Sequence, residues 1–241
     1  KYKANIEAIR LLQTLEKEER LATPEEQEVL SHYVGWGGIP QAFEENNGSW
    51  ANEYRELKNT LTSEEYSAAR ASTLNAFYTS PTVIHSMYEA LENMGFTKGN
   101  ILEPSCGVGN FMGLIPESMS KAKMYGVELD PVSGRIARQL YQKSQIAIQG
   151  FETTQFQDSF FDCVIGNVPF GAYQVNDKRY DRHHFLIHDY FIAKCLDKVA
   201  VGGIVALVTS KGTLDKSNSK VRRYIAERAD LLGAIRLPSD T

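Results

Sequence analysis

The order of apolar and polar residues constrains the fold of this chain more than any other feature. From about residue 76 onward, short apolar runs alternate with amphipathic stretches of helical periodicity. Strands and helices in alternation form a mostly parallel α/β sheet with helices on both faces, and ligands bind beyond the carboxyl ends of its strands. The predicted strands are 100–103, 124–129, 145–149, 161–166, 204–209 and 231–237. The predicted helices are 81–94, 131–143, 185–199 and 219–229.

Residues 1–75 differ in composition, being rich in Glu, Lys, Leu and Ala, and are predicted to form a separate helical segment. Two helix starts are recognisable in it, because Thr23 with Glu26 and Thr62 with Glu65 match the capping-box pattern. The fold class is therefore an α/β domain preceded by a helical segment.

The loop at 32–40 lies between these helices and combines aromatic side chains with three glycines. This composition predicts a structured loop rather than a flexible linker. Two roles stay open for it: a packed corner between helices, or a surface that holds a partner or substrate.

The charge and cysteine content exclude several classes of protein. A formal net charge of −4 over 241 residues argues against a surface that is basic throughout, so any contact with nucleic acid must be local. No run approaches the roughly 18 to 20 apolar residues that span a bilayer, and no secretion signal opens the chain, so we expect a cytoplasmic protein. Cys106, Cys163 and Cys195 lack the spacing of a zinc site or a disulfide framework. We expect reduced thiols and no metal.

The first motif is a strand that ends in an acid and a glycine-rich turn, Ile-Leu-Glu-Pro-Ser-Cys-Gly-Val-Gly-Asn-Phe at 101–111. Gly107 and Gly109 let the backbone approach a ligand closely, and Glu103 can accept hydrogen bonds from an ammonium or a hydroxyl. This combination suits a cationic amino-acid cofactor. The Gly-Lys-Ser/Thr of a phosphate-binding loop is absent from the motif, and a purely structural turn is the alternative.

The second motif, Tyr-Gly-Val-Glu-Leu-Asp-Pro at 125–131, is a strand that ends in acids about twenty residues downstream. Nucleotide-binding α/β folds place a carboxylate at this point on the ribose hydroxyls, and Glu128 is the predicted residue. Asp130 precedes a proline and is predicted to cap the following helix. The alternative is that both acids are solvated caps.

The third motif is a buried strand that ends in Asn167, Val168, Pro169 and Phe170. An amine on an aromatic ring is a poor nucleophile because its lone pair is delocalised. The side-chain oxygen of Asn167 and a neighbouring backbone carbonyl can each accept one N–H and favour attack. Phe170 offers a flat apolar face for a base rotated out of a duplex. A plain strand end with a turn is the alternative.

In this order and spacing the three motifs resemble those of the amino-group DNA methyltransferases of the N6-adenine type. The resemblance covers residues 76–241 and implies a Rossmann-like class I methyltransferase domain. It also implies the cofactor S-adenosyl-L-methionine and, as substrate, the N6 amine of adenine in DNA, flipped from the duplex or single-stranded. The implied catalytic residues are Asn167, Val168, Pro169 and Phe170. The implied cofactor-binding residues are Thr79, Glu103, Ser105, Gly107, Gly109, Glu128, Leu129 and Phe151. Thr79, in the segment 77–81, is implied near the methionine moiety.

The chain departs from this family at two positions. Val168 stands where the family usually has a proline, but the backbone carbonyl that is expected to act there is kept. Gly150 stands where the family usually has an acid that receives the adenine amine of the cofactor. Glu152 or Gln149 would then have to supply the acceptor.

The helical segment and its loop at 32–40 resemble, more loosely, the leading part of large methyltransferase-helicase fusion proteins of conjugative elements and phages. This resemblance implies helicase modules in the same parent chain. We therefore expect the sequence to be part of a longer protein, and its sheet to lack the family's seventh strand and to keep an uncovered edge.

Two basic clusters follow strand ends on the predicted ligand side, where they either contact phosphates or form solvated faces. The first cluster is Lys178, Arg179, Arg182, His183 and His184. The second is Lys211, Lys216, Lys220, Arg222 and Arg223.

Two other functions stay open. One alternative is a protein glutamine N-methyltransferase, because enzymes of that class use a similar motif on an amide nitrogen. The other alternative is a non-catalytic cofactor- or DNA-binding module of a larger helicase-containing protein, which the glycine at position 150 and the negative net charge favour.

Overall fold

The computed structural model describes residues 1–73 and 78–238. Its helices are α1 (Tyr2–Lys17), α2 (Pro24–Ser31), α3 (Ala51–Thr60), α4 (Ser63–Ser72), α5 (Pro81–Asn93), α6 (Asn110–Gly113), α7 (Pro131–Leu140), α8 (Ile187–Lys198), α9 (Gly212–Asp215) and α10 (Lys220–Ala226). Its strands are β1 (Asn100–Glu103), β2 (Lys123–Glu128), β3 (Gln145–Ile148), β4 (Phe161–Asn167) and β5 (Val199–Val208).

The chain folds into two compact units. The first unit comprises Lys1–Phe77, Gly107–Gly109 and Glu128–Gln149, and the second comprises Tyr78–Cys106, Asn110–Val127 and Gly150–Thr241. The first unit thus joins the N-terminal helices to α7 and β3. The second unit holds β1, β4, β5 and most of β2.

The first unit is built around α7, which packs against α1, α2 and α4 and against β3. Leu12 and Leu15 of α1 and Ile136 of α7 are fully buried in this core. Both predicted capping boxes are confirmed, since the hydroxyls of Thr23 and Thr62 each accept the backbone N–H three residues on. These caps satisfy N–H groups that the first helical turn leaves without partners.

The loop at 32–40 is a packed corner of the first unit. The Trp36 side chain is completely buried, and its ring meets those of Tyr33 and Phe43 edge to face, with centroids 6.4 Å and 5.4 Å away. Asn5, also fully buried, donates to the Gly35 carbonyl at 2.6 Å and accepts the Val34 N–H at 2.9 Å. One amide side chain of α1 therefore satisfies two backbone groups of the loop.

The predicted α/β sheet is confirmed. The strand order is β3-β2-β1-β4-β5. β1 pairs in parallel with both β2 and β4, and β4 pairs in parallel with β5. Parallel pairing places the carboxyl ends of β1, β2, β4 and β5 at one edge, which is where such sheets bind ligands.

One predicted strand is wrong. Residues 231–237 have no regular structure, and their side chains are exposed. An apolar run forms a strand only when its backbone groups pair with a neighbouring strand, and none of the strands among the described residues pairs with this run.

β5 begins five residues earlier than predicted, at Val199, and irregular pairing near Phe161 accommodates the extra residues.

The three cysteines are free and buried. Burial raises the pKa of the Cys163 thiol to about 12, so the thiol stays protonated. Within residues 1–73 and 78–238, no helix has both the length and the apolar character to cross a membrane.

Replacing Asn5 by Ala should lower the free energy of unfolding by about 2–4 kcal/mol, because the buried Gly35 carbonyl and the partly buried Val34 N–H both lose their partner, at about 1–3 kcal/mol for a fully buried group. Urea denaturation followed by tryptophan fluorescence measures the change. The control is Asn46→Ala, an exposed asparagine of the same unit, which should stay within about 0.5 kcal/mol of the wild type. Equal stabilities of the two variants would refute the role of Asn5.

Candidate active site

The glycine-rich turn between β1 and α6 depends on left-handed backbone at two positions. Gly107 has φ of +56° and Gly109 has φ of +89°, a region that only glycine adopts without strain. A side chain at Gly109 would run into the ring of Tyr141, whereas a side chain at Gly107 would meet nothing within 4 Å. The space where a Cβ of residue 107 would lie is therefore open, as a ligand-binding turn requires.

Glu128 ends β2 and is held by two backbone groups of the first unit. One carboxylate oxygen accepts the Gly107 N–H at 2.7 Å, and the other accepts the Asp130 N–H at 2.7 Å. Burial raises the pKa of Glu128 from 4.5 to about 7, against the opposing effect of these N–H groups. Asp130 caps α7 by accepting the N–H groups of Val132 and Ser133, which confirms its predicted role. Glu128 is therefore not the cap of this helix.

Glu103 and Asn167 lie at the carboxyl ends of two neighbouring strands in the second unit. The register pairs Leu102 of β1 with Val164 of β4 in parallel, so both side chains belong to the same edge of the sheet. The Glu103 side chain is buried, and Asn167 is partly exposed. The structure thus brings together an acid of the first motif and the amide of the third.

The tetrapeptide that begins with Asn167 is anchored by the sheet. The N–H of Val168 donates to the Val208 carbonyl at 3.1 Å, which extends the pairing of β4 with β5 by one residue. The Val168 side chain is buried, whereas Pro169 and Phe170 are partly exposed. The sheet therefore fixes the backbone at this strand end, and the Phe170 ring keeps an accessible face.

Gly150 and the turn after it differ from the family pattern in a specific way. A side chain at position 150 would collide with the carboxylate of Glu152. The acid carried by residue 152 thus occupies the space that a side chain of residue 150 would fill. Phe151 is buried, and its ring centroid lies 5.0 Å from that of Phe191 on α8.

Two buried threonine hydroxyls lack a hydrogen-bond partner in the described part of the chain, Thr79 Oγ1 and Thr209 Oγ1. Buried polar atoms of this kind are normally satisfied by water or by a ligand. Thr79 was predicted as a cofactor contact; Phe77 of the same segment lies outside the described residues. Thr209 directly follows β5, and its position at a strand end was the signal that could have identified it. Of the other predicted cofactor residues, Ser105 is partly exposed and Leu129 is exposed.

The sequence pattern did not reveal a buried ion pair of the second unit. Lys194 of α8 is buried, and its ammonium lies 3.0 Å from the carboxylate of Asp177. A lysine in an amphipathic helical pattern is expected to face solvent. The one signal in the sequence for a buried Lys194 was a possible partner, Asp177, seventeen residues earlier.

The fold is that of the class I S-adenosylmethionine-dependent methyltransferases. A solved structure of such a protein from Listeria monocytogenes superposes with a TM-score of 0.55, at 17% sequence identity, over 94% of this chain and 80% of that one. This likeness establishes the architecture.

The chain belongs to the N-6 DNA Methylase family, whose sequence model matches residues 61–241. It is 31% identical over 244 residues to the Defense against restriction protein B of Escherichia phage P1, a match that covers 99% of this chain and 9% of that protein. It is also 30% identical over 125 residues to the Type II methyltransferase M.CvrRI of Paramecium bursaria Chlorella virus XZ-6E, over 52% of this chain and 30% of that protein. The chain thus spans less than a third of the length of either relative.

The raised pKa of Glu128 predicts a pH dependence of stability. The Glu128 carboxyl binds its proton more tightly in the folded state than in the unfolded chain. Its contribution to the free energy of unfolding is therefore complete below about pH 4.5 and is lost as the pH rises through about 7. Relative to Glu128→Gln, the wild type should lose on the order of 2 kcal/mol of unfolding free energy between pH 5 and 8. Denaturant titrations at several pH values measure the difference. A constant difference across this range would show that Glu128 titrates normally.

Proposed function

We propose that this chain transfers a methyl group from S-adenosylmethionine to the N6 amine of adenine in DNA. The observation that carries the proposal is the position of Asn167, at the carboxyl end of β4 beside Glu103 of β1, in a chain of the N-6 DNA Methylase family. Methyltransferase chemistry follows from the family and the fold. What we propose beyond it is that the methyl group is accepted by the N6 amine of adenine.

The residues present fit the cofactor. Glu128 offers a carboxylate for the ribose hydroxyls, already oriented by two N–H groups, and the open space at Gly107 admits a ligand against the backbone. Glu103 can neutralise an ammonium, and the unpartnered hydroxyl of Thr79 can serve the methionine part. When bound, S-adenosylmethionine supplies a methyl group activated by a positively charged sulfur.

Glu152 supplies the acceptor that Gly150 lacks. Its carboxylate fills the space where a side chain of residue 150 would lie, so it can receive the exocyclic amine of the cofactor's adenine. A carboxylate accepts hydrogen bonds more strongly than the amide of Gln149 would. We therefore assign this contact to Glu152.

The target amine is held by the tetrapeptide. The side-chain oxygen of Asn167 and the carbonyl of Val168 each accept one N–H, which directs the nitrogen lone pair toward the methyl group and stabilises the positive charge that develops on nitrogen. Phe170 stacks on the base, and the partly exposed ring is accessible for it.

The predicted phosphate contacts divide into two groups in the structure. Several of these cations have internal partners: Arg179 pairs with Asp158 and Asp197, Lys216 with Asp189, and Arg222 donates to the carbonyls of Leu214 and Lys216. Lys178, Lys211 and Arg223 are exposed, and their side chains form no ion pair or hydrogen bond with the described residues. We assign the DNA phosphate contacts to these three. Helicase modules in a longer chain and a cytoplasmic location remain predictions from the sequence.

Replacing Asn167 by Ala should reduce methyl transfer to DNA by roughly 100-fold or more, because the amine loses a preorganised acceptor. Binding of S-adenosylmethionine, measured by calorimetry, should change little. Transfer of labelled methyl to unmethylated plasmid DNA, with mass spectrometry of the nucleosides, measures the effect. Asn176→Ala, an exposed asparagine in the following segment, is the control.

Each alternative function gives a different result in the same assay. Label in protein but not in DNA would favour a glutamine N-methyltransferase. No heat with S-adenosylmethionine at high micromolar concentration would favour a non-catalytic module.

Replacing Glu152 by Ala should weaken binding of S-adenosylhomocysteine about 10-fold or more, because a hydrogen bond to a charged group is lost. The inosine analogue, which lacks the exocyclic amine, should bind wild type and variant alike. Gln149→Ala is the matched control and should leave both affinities unchanged. If Gln149→Ala weakens binding and Glu152→Ala does not, the acceptor is Gln149.

A further inference from the structure

The ammonium group of Lys194 joins two segments of the second unit that are far apart in sequence. It donates to the Phe151 carbonyl at 2.7 Å and to the Glu152 carbonyl at 3.3 Å, and it lies 3.0 Å from the Asp177 carboxylate. The lysine is only 3% exposed. A buried ammonium is costly unless every donor is used, and here three acceptors from two segments fulfil that need.

The first of these segments is the short helical turn Phe151–Thr153, which the proposed function assigns to the cofactor's adenine. The two carbonyls that accept from Lys194 belong to this turn. The ammonium therefore fixes the backbone that presents the Glu152 carboxylate.

The second segment follows the catalytic tetrapeptide and is organised by Asp177. The Asp177 carbonyl accepts the N–H groups of Tyr180 and Asp181. The Asp177 carboxylate accepts the N–H of Arg179 and the hydroxyl of Tyr190. The turn at 177–181 thus keeps its shape through Asp177, and Asp177 is attached to α8 through Lys194 and Tyr190.

We propose that Lys194 is a positioning residue that couples occupancy of the cofactor site to the conformation of the segment that follows the target-base motif. The inference rests on the proposed function, because it needs a cofactor at Phe151–Thr153 and a base at Asn167. A ligand that orders the turn at Phe151–Thr153 fixes the ammonium, and the fixed ammonium holds Asp177. Coupling of this kind is reciprocal, so DNA must tighten cofactor binding by the same factor.

The chain offers a matched control one helical turn away. Lys198 is also buried and on α8, but it donates to the Phe156 carbonyl at 2.6 Å and to the Asp158 carboxylate at 2.7 Å. It reaches neither Asp177 nor the turn at Phe151–Thr153. Lys198→Met therefore removes a comparable ammonium without touching the proposed connection.

The test compares wild type, Lys194→Met and Lys198→Met in the full-length protein. Calorimetry measures the dissociation constant of S-adenosylhomocysteine with and without unmethylated plasmid DNA. We expect DNA to tighten binding about 5-fold or more in wild type and in Lys198→Met, and to leave it unchanged in Lys194→Met. Retained tightening in Lys194→Met, or its absence in the wild type, overturns the inference.

Hydrogen exchange separates this inference from the proposed function. Without any ligand, Lys194→Met should speed amide exchange at both 151–154 and 177–181, whereas Lys198→Met should speed it at 156–159 only. If wild type binds no S-adenosylhomocysteine, the proposed function fails. Unchanged exchange at 177–181 in Lys194→Met would overturn the structural connection itself, whatever the cofactor result.

Discussion

The parallel pairing of β1 with β4 is the constraint on which the rest of the site depends. It places Glu103 and Asn167 at one edge of the sheet, although more than sixty residues of chain separate them. Parallel neighbours require long crossover connections, and these connections carry the turns at Gly107 and Phe151. Within the second unit, Glu103 and Asn167 therefore reach the same edge only through the sheet.

Buried charge is the second organising feature. Glu128 is partly buried and accepts hydrogen bonds from two backbone N–H groups, and Lys194 is buried and donates to two carbonyls and a carboxylate. Each group is stabilised by partners in its own unit. These hydrogen bonds fix the backbone around each of the two groups, and a fixed backbone lowers the entropy that is lost when a ligand binds.

Several features could be predicted from the sequence because they are local. The capping boxes at Thr23 and Thr62, the cap at Asp130 and the strand ends at Glu103 and Asn167 depend on spacing within a few residues. The strand predicted at 231–237 was wrong for the opposite reason. An apolar run matches the residue pattern of a strand. Whether the strand forms depends on a neighbouring strand to pair with, and the pattern contains no information about that neighbour.

By itself, the sequence determined the succession of the first five strands, the helices between them and the three motifs at strand ends, since periodicity, caps and glycines act over short stretches of chain. The tertiary structure alone decided which acid occupies the space beside Gly150, because the direction of the Glu152 side chain is set by the turn at Phe151–Thr153. It also decided that Lys194 faces inward toward Asp177. Both outcomes depend on contacts across the fold, where burial and hydrogen bonding outweigh the preference of a charged side chain for water.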